Sequence, residues 1–321
     1  MTAPVEVPTL LAFPVTVAAV QRLSPSYLRI TFRGADLAQF HRGGPLGTRD
    51  LRVKVIVPGE LGDPWAPLDL SPGWYPRWLA TDPRVRGCMR TYTVRGLRLD
   101  LPVPELDLDF VLHLDADGHG GPATQWAAAA AVGDPITILG PNQATGGVLG
   151  GIEWHPPRAS EEHPVRVLLA GDETAVPAVT SVLATLPAGY HGQAILEVPC
   201  AEDTFAVTTP SQVEVVWLPR DGRPHGAALA TAVRAALADV PPATASRDAP
   251  PADVLPEVDI DRDILWEAAN DEDGSSSFYA WIAGEAATVR DLRRHLVRDL
   301  GVDRTDVAFM GYWRLGRAEG S

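Results

Sequence analysis

Residues 89–95 read Met89-Arg90-Thr91-Tyr92-Thr93-Val94-Arg95. These β-branched and aromatic residues predict an extended strand. Side chains alternate between the faces of a strand, so Arg90 and Tyr92 are expected on one face, and Thr91, Thr93 and Arg95 on the other unless a twist or bulge turns them. A guanidinium can bind phosphate bidentately, a phenol ring can stack on another ring, and a threonine can hydrogen-bond a heterocycle. A flavin nucleotide needs all three groups; the alternative is ordinary strand sequence.

The composition indicates a globular chain large enough for two domains. It has 321 residues, of which 45% are hydrophobic and 21% charged. The net charge of −14 disfavours binding to nucleic acid or to anionic lipid, so any anionic ligand needs a local basic pocket. Only Cys88 and Cys200 occur, which are too few for a four-cysteine iron–sulfur cluster. No apolar stretch approaches about 18 residues, so we expect no membrane insertion and a cytoplasmic location. We also expect a monomer.

The first half of the chain predicts β-structure. Short β-branched runs are separated by Gly, Pro, Asp and Ser, and they indicate a six-stranded antiparallel barrel within residues 1–145. Residues 58–86, rich in Pro, Gly and Trp, predict a long loop over one barrel mouth. The predicted strands are Val15–Leu23, Leu28–Gly34, Leu51–Val57, Met89–Arg95, Asp107–Leu114 and Asp134–Gly140.

One helix is predicted inside this first domain, from Gly120 to Val132. Pro122 suits the first helical position, and Gly120 and Gly121 before it allow close backbone approach. The free amides of the first turn can then bind an anion. The alternative is a plain Gly-Pro helix start.

The second half changes to alternating strands and helices. This alternation predicts a parallel sheet within residues 163–321, with ligands at the carboxyl ends of its strands. Residues 241–263, dominated by Pro, Ala and Asp, predict a mobile insertion. The predicted strands are Val165–Gly171, Gln193–Val198, Val213–Leu218 and Phe278–Gly284, and the predicted helices are Thr174–Leu186, Gly226–Val240 and Thr288–Leu300.

Short motifs follow one another along both halves. They are 90–95, His113 with His119-Gly120-Gly121-Pro122-Ala123-Thr124-Gln125-Trp126-Ala127, Ala170-Gly171-Asp172-Glu173-Thr174-Ala175-Val176-Pro177-Ala178, Trp281-Ile282-Ala283-Gly284-Glu285-Ala286 and Gly311-Tyr312-Trp313-Arg314. This ordered set resembles the siderophore-interacting proteins, the FAD-dependent ferric-siderophore reductases of the ferredoxin-reductase-like superfamily. Each motif alone is weak, but their order and spacing across most of the chain make the resemblance specific.

The resemblance implies roles for individual residues. Arg90 is expected to meet the flavin phosphate region, Tyr92 to lie against the flavin, and Thr93 to hydrogen-bond near its reactive nitrogen. His113 and Asp115 are expected beside the adenosine, with the pyrophosphate at the helix start. The expected cofactor-binding residues are Arg90, Thr91, Tyr92, Thr93, His113, Asp115, Gly121, Pro122, Ala123, Thr124, Trp126, Asp172, Thr174 and Trp313.

The same resemblance implies an enzyme that passes electrons from NADPH or NADH through FAD to the Fe(III) of a ferric siderophore. Asp172 and Glu173 replace the glycine-rich sequence of ordinary nicotinamide-binding reductases, and carboxylates repel a pyrophosphate, so they should point elsewhere, toward the flavin edge. Reduced ferredoxin is therefore an alternative donor. The alternative function is a flavin-containing protein that binds siderophore without turnover. The spacings of His113, His119, His155 and His163 match no metal-ligand motif, so no resident metal is expected.

Basic residues outside these motifs give further predictions. Arg290 or Arg293, near the start of the last predicted helix, is expected to meet the nicotinamide cofactor and to favour NADPH; the alternative is a solvated helix face. Lys54 is the only lysine, and it shares a strand face with Arg52. The resemblance implies that Lys54 lines the substrate pocket, with Arg52 beside it. The alternative is an outward lysine that protects a strand edge from aggregation.

Overall fold

The computed structural model describes residues 7–44, 47–114, 117–146, 150–238, 264–269 and 276–316. The chain forms two compact units that divide between Ile152 and Glu153. We call them the barrel unit and the sheet unit. Asp115 and the expected insertion at 241–263 lie outside the described residues.

The barrel unit is a closed barrel with strand order β1-β2-β5-β4-β3-β6, and all its pairings are antiparallel. The predicted six-stranded barrel is therefore confirmed. The strands are β1 (Leu10–Arg22), β2 (Tyr27–Arg33), β3 (Arg52–Val57), β4 (Cys88–Arg98), β5 (Glu105–Val111) and β6 (Pro135–Pro141).

Strict alternation of side chains explains why β3 lies where it does. Val53, Val55 and Val57 are buried, whereas Arg52 and Lys54, which alternate with them, are partly exposed. The predicted faces of this strand are confirmed. Because β3 pairs with β4 on one side and with β6 on the other, it has no free edge. The interpretation of Lys54 as an edge-protecting residue is therefore wrong.

The connection between β3 and β4 is more ordered than a plain loop. It contains α1 (Trp74–Ala80) and α2 (Pro83–Arg86). Asp82 caps α2 by accepting a hydrogen bond from the Arg84 amide, and Pro83 occupies the first helical position. The barrel unit also contains α3 (Pro122–Ala129) and the 3₁₀ turns Ala35–Gln39 and Gln143–Thr145.

The sheet unit contains a six-stranded sheet with order β10-β12-β11-β7-β8-β9, parallel except for β10. The predicted parallel sheet is confirmed, and β7 has the predicted bounds. The strands are β7 (Val165–Gly171), β8 (Tyr190–Val198), β9 (Gln212–Pro219), β10 (Trp266–Glu267), β11 (Phe278–Glu285) and β12 (Val307–Trp313).

Helices join these strands as predicted, but with shorter bounds. They are α4 (Val176–Thr185), α5 (Ala227–Ala236) and α6 (Ala286–Arg293), with 3₁₀ turns at Ala201–Asp203 and Arg304–Asp306. A π-helical turn, Arg294–Asp299, continues α6 where one longer helix was predicted. Val289, Leu292 and Leu296 from this segment pack in a core with Leu229 and Val233 of α5. Within the described residues, no helix is both long and apolar enough to cross a membrane.

Candidate functional site

The register of β3 and β4 fixes which motif residues share a face. Thr91 lies opposite Lys54 and Thr93 opposite Arg52, whereas Arg90 and Tyr92 lie opposite Val55 and Val53. Directly opposed residues on antiparallel strands project to the same side. The predicted alternation of Arg90 and Tyr92 against Thr91 and Thr93 is therefore confirmed. A register shift between Val94 and Gly96 ends this regular pairing.

Arg90 differs from the other arginines of β4 in what it contacts. Its Nη1 donates to the Met89 carbonyl oxygen at 2.8 Å, and it forms no ion pair with any described residue. In contrast, Arg98 binds Asp107 through two hydrogen bonds of 2.6 and 2.7 Å, and Arg95 lies 3.9 Å from Asp109. Among the described residues, Arg90 is thus the arginine of β4 without a carboxylate partner, and its role in binding a phosphate stays a prediction.

Tyr92 belongs to an aromatic cluster of the barrel unit. Its ring centroid lies 4.2 Å from that of Phe110, and Trp126 of α3 lies 6.0 Å from the same ring. Trp126 also stacks on Phe32 at 6.3 Å. The structure therefore brings together the predicted residues Tyr92 and Trp126, with Phe110 between them. Phe110 was not predicted as a site residue, and it supports one side of the Tyr92 ring.

The face opposite Tyr92 carries hydroxyl groups beside cations. Lys54 Nζ donates to Thr91 Oγ1 at 2.6 Å, so the predicted substrate and cofactor residues meet here. Thr93 is 6% exposed, and its hydroxyl has no hydrogen-bond partner among the described residues. A ligand acceptor or donor could therefore hydrogen-bond this hydroxyl.

The start of α3 is built by a glycine and a proline. A Cβ on Gly120 would lie 2.6 Å from the His113 carbonyl oxygen and 2.9 Å from Thr124 Cγ2, so only glycine fits between them. Gly121 is the N-cap and makes no side-chain cap hydrogen bond. Thr124 is 8% exposed, and its hydroxyl also lacks a partner within the described ranges. The structure thus brings His113, which is exposed, against the predicted anion-binding helix start.

These groups fit an FAD as a donor set. A cation, a helix start without a side-chain cap and two unpartnered threonine hydroxyls match diphosphate and heterocycle acceptors, and an aromatic ring matches the flavin. We infer the fit from Arg90, Tyr92, Thr93, Thr124 and the α3 amides. The individual contacts with FAD stay predictions.

In the sheet unit, Asp172 lies at the point where the strand order reverses. The chain runs from β7 to β8 and β9 on one side, whereas β11 lies on the other side of β7. Asp172 Oδ2 accepts hydrogen bonds from the Glu285 amide at 2.7 Å and from Trp313 Nε1 at 2.8 Å. Its Oδ1 accepts from the amide and hydroxyl of Thr174. The predicted residues Asp172, Thr174 and Trp313 are thus brought together.

The Asp172 side chain, directly after β7, accepts hydrogen bonds from the last residues of β11 and β12. Both oxygens are occupied, and the residue is 3% exposed, so the prediction that this side chain contacts a flavin conflicts with the geometry. Gly284, at φ 145°, accommodates it, because a Cβ there would lie 2.6 Å from Asp172 Oδ2. Burial, followed by the negative charge of Glu173, raises the pKa of Asp172 to about 7.

Next to Asp172, two buried glutamates hold one arginine. Arg220, just after β9, donates to both carboxylate oxygens of Glu173 at 2.9 Å and to Glu197 Oε1 at 3.2 Å. Glu173 and Glu197 are both 0% exposed. Burial lowers the pKa of Arg220, but hydrogen bonds and charge from the two glutamates outweigh it and raise the pKa overall. We call these three residues the buried triad. Glu173 belongs to the motif at 170–178, but no sequence pattern linked it to Arg220.

His225 is a further residue that sequence reasoning missed. Its ring makes an edge contact with Trp313 at 5.1 Å between centroids. Its Nδ1 is buried and has no hydrogen-bond partner among the described residues. A lone histidine before a glycine carries no sequence signal, so only the fold brings His225 to Trp313.

The arginines of α6 do not behave alike. Arg293 is 3% exposed and donates to Glu267 through Nε at 2.9 Å and through Nη2 at 2.8 Å. The prediction that Arg293 meets a nicotinamide cofactor is therefore not supported, because its guanidinium joins α6 to β10. Among the described residues, Arg290 pairs with the neighbouring Asp291 alone, at 3.3 Å, and its predicted role stays a prediction. No three His, Cys, Asp or Glu of the described ranges form a cluster that could hold a metal ion.

Comparison with known families matches both units. Residues 16–145 match the model of the siderophore-interacting FAD-binding domain, and residues 164–316 match that of the siderophore-interacting protein. An uncharacterized protein of Mycobacterium tuberculosis is 30% identical, over 94% of this chain and 90% of its own length. The ferric vibriobactin reductase ViuB of Vibrio cholerae is 27% identical, over 92% of this chain and 87% of its own length.

A solved structure gives the same result. The siderophore-interacting protein SipS of Aeromonas hydrophila aligns with a TM-score of 0.63 and 28% identity, covering 97% of this chain and 95% of its own. The likeness extends through both the barrel and the parallel sheet.

Proposed function

Because the chain belongs to the siderophore-interacting protein family and carries an FAD-binding domain, we propose that it is a ferric-siderophore reductase that takes electrons from NADH or NADPH. The observation that carries this proposal is the Arg90–Thr93 stretch. One face of this β-strand presents a guanidinium without an ion pair to the described residues and an aromatic ring, and the other face presents a threonine hydroxyl without a partner among them. Relatives named as ferric vibriobactin and ferric acinetobactin reductases support the substrate class.

The residues of the barrel unit hold and orient the cofactor in this proposal. Arg90 and the amides at the start of α3 bind the diphosphate, and Thr93 hydrogen-bonds the ring system. Phe110, which itself packs on Trp126, supports the Tyr92 ring, so this ring meets the cofactor with little loss of conformational freedom. FAD, when bound, supplies the conversion from a two-electron hydride donor to a one-electron Fe(III) acceptor.

The substrate is held through charge in this proposal. Ferric siderophores with catecholate ligands are anionic, and Lys54 with Arg52 forms a cationic pair on the face of β3 that also carries Thr91 and Thr93. Iron leaves after reduction because Fe(II) binds hard oxygen ligands less tightly than Fe(III). Reduced ferredoxin stays an alternative donor.

A spectral titration tests the proposal. The purified protein is expected to be yellow, to bleach on anaerobic addition of NADH or NADPH, and to regain its colour when a ferric siderophore is added. A ferrous chelator should then detect Fe(II). The gallium(III) complex of the same siderophore is the matched control, because Ga(III) keeps the charge and geometry but accepts no electron.

The outcomes separate the candidate functions. Reoxidation by the ferric complex, but not by the gallium complex, is expected of the reductase. A bleached protein that binds the ferric complex without regaining its colour would instead be a siderophore-binding flavoprotein. A protein that neither nicotinamide bleaches, but reduced ferredoxin does, would leave the reductase assignment intact and change the donor.

A further inference from the structure

The buried triad lies where one part of a dinucleotide donor would rest. In doubly wound parallel sheets, dinucleotides bind along the carboxyl ends of the strands, and the adenosine ribose lies near the end of the second strand. Here β8 is the second strand after β7, and Glu197 is its penultimate residue. Arg220 directly follows β9, the next strand outward. A ribose in this position would face the triad.

An arginine near this ribose is the usual partner for the extra 2′-phosphate of NADPH. Arg220 is engaged elsewhere, because Glu173 occupies both of its terminal nitrogens and Glu197 shares one of them. Two carboxylates against one guanidinium leave the triad with a formal charge of −1. Arg223, three residues on, donates to the backbone carbonyls of Pro219 and Arg220, which orient its guanidinium toward the chain but leave its charge in place.

The N-terminus of α5 already binds a carboxylate of the protein, that of Glu197. Glu197 accepts hydrogen bonds from the amides of Gly226 at 2.8 Å and Leu229 at 3.0 Å, which cap the N-terminus of α5. Helix N-termini favour anions, and a ligand phosphate would compete for these same amides. Glu197 therefore occupies the amides that a ligand phosphate would need.

We propose that the buried triad of Glu173, Arg220 and Glu197 makes this protein select NADH over NADPH. The inference rests on the proposed function, because it names the donor of that reaction. The 2′-phosphate adds about two negative charges beside a triad that is already negative, and Arg220 is not available to pair with them. The free 2′-hydroxyl of NADH carries no such charge, so NADH meets only the repulsion of the diphosphate, which both donors share.

The wild-type holoprotein gives the first test. Its kcat/KM for flavin reduction is expected to be at least about tenfold higher with NADH than with NADPH at low ionic strength. Calorimetry gives a readout that needs no turnover: 5′-AMP is expected to bind more tightly than 2′-AMP. An equal or higher efficiency with NADPH, or tighter binding of 2′-AMP, would overturn the inference and favour the opposite prediction for Arg290.

Substitutions within the triad should move the preference in opposite directions. Glu173→Gln removes one negative charge and should raise the NADPH-to-NADH ratio of efficiencies about five- to thirtyfold. Arg220→Gln removes the only positive charge and should lower it further. Glu214→Gln is the matched control, because Glu214 is exposed in the first half of β9 and the charge change is the same. Equal ratios in all four proteins would refute the proposal.

Two measurements keep the test decisive. If a triad variant does not fold, the wild-type ratio and the 2′-AMP comparison still decide. If neither nicotinamide reduces the flavin, this inference fails, but the function is tested separately by reducing the holoprotein with dithionite and adding the ferric siderophore. Reoxidation in that experiment would retain the reductase and discard the nicotinamide selection.

Discussion

Arg90 and Arg220 differ in the groups that their guanidinium groups bind. Arg90 donates to a single backbone carbonyl oxygen, whereas Arg220 binds two buried carboxylates. A cation without an internal counter-charge can bind an anion at little cost, but a paired one must first give up its partners. Anion binding is therefore expected at Arg90, not at Arg220.

Replacing Arg90 tests this at the cofactor. Arg90→Ala should lose a charge-assisted contact of about 2–3 kcal/mol and weaken FAD binding tens-fold or more. Equilibrium titration of the apoprotein with FAD measures the dissociation constant. Arg33→Ala is the control, because Arg33 is exposed at the end of β2 in the same barrel. An Arg90→Ala variant that folds and binds FAD as tightly as the wild type would remove Arg90 from the cofactor site.

Asp172 predicts a pH dependence of stability. Its pKa rises from an ordinary 3.8 to about 7 in the folded state, mainly through burial. Between these values the native state holds a proton that the unfolded state releases, so Asp172 contributes less stability as pH rises. Asp172→Asn cannot titrate. The melting temperature of the wild type minus that of the variant should therefore fall by roughly 5 °C from pH 5 to pH 8.

Thermal unfolding of both proteins across this pH range checks the sign. A difference in melting temperature that is constant with pH would show that Asp172 is already ionised at pH 5. A wild-type melting temperature that rises with pH relative to that of the variant would contradict the raised pKa directly.

At the scale of elements, local patterns predicted most of the fold. β7 is a continuous apolar run whose bounds agree with the structure, and β3 alternates without exception. β12 was missed as a strand, because its Gly311 and the aromatic residues after it resembled a motif at the chain's end. Short helices in the β3–β4 connection were missed because Pro and Gly dominate that segment.

The two candidate sites differed in how far sequence could predict them. The Arg90–Thr93 stretch is local, and the alternation along one strand correctly assigned its faces. The contacts of Asp172 join residues 141 positions apart, and those of Arg220 join residues up to 47 apart. No local pattern encodes such pairings, so Phe110, Arg220 and His225 could be recognised only from the fold.

The helix α6 gives a prediction that separates structure from donor binding. Arg293→Gln should lower the free energy of unfolding of the sheet unit by about 3 kcal/mol, because Glu267 loses its buried partner and keeps only Arg304. Arg290→Gln, at a partly exposed pair, should change it by less than about 0.5 kcal/mol.

Urea unfolding followed by far-UV circular dichroism measures both variants, with flavin fluorescence reporting on the barrel unit. The nicotinamide preference of Arg293→Gln should stay that of the wild type. A changed preference with unchanged stability would return Arg293 to the donor site.

For the whole molecule, the net charge of −14 does not show which charges are paired. Many carboxylates are neutralised where they stand: Arg29 and Arg98 bind Asp109 and Asp107, and Arg293 binds Glu267. The excess negative charge still repels anions at long range. An anionic ferric siderophore therefore needs a local cation to dock, and Lys54 stands on a strand face with Arg52.

Lys54→Ala should raise the apparent KM for an anionic ferric siderophore roughly three- to thirtyfold, equivalent to about 1–2 kcal/mol of lost binding. Lys54→Arg is the matched control, because it keeps the charge and should stay within about threefold of wild type. Since Lys54 also donates to Thr91, flavin content must be measured alongside and should not change. The difference between wild type and Lys54→Ala should shrink as salt rises, because screening weakens the attraction that Lys54 supplies. Wild-type kinetics of Lys54→Ala at low ionic strength would exclude Lys54 from the substrate site and leave Arg52 as the cation of that face.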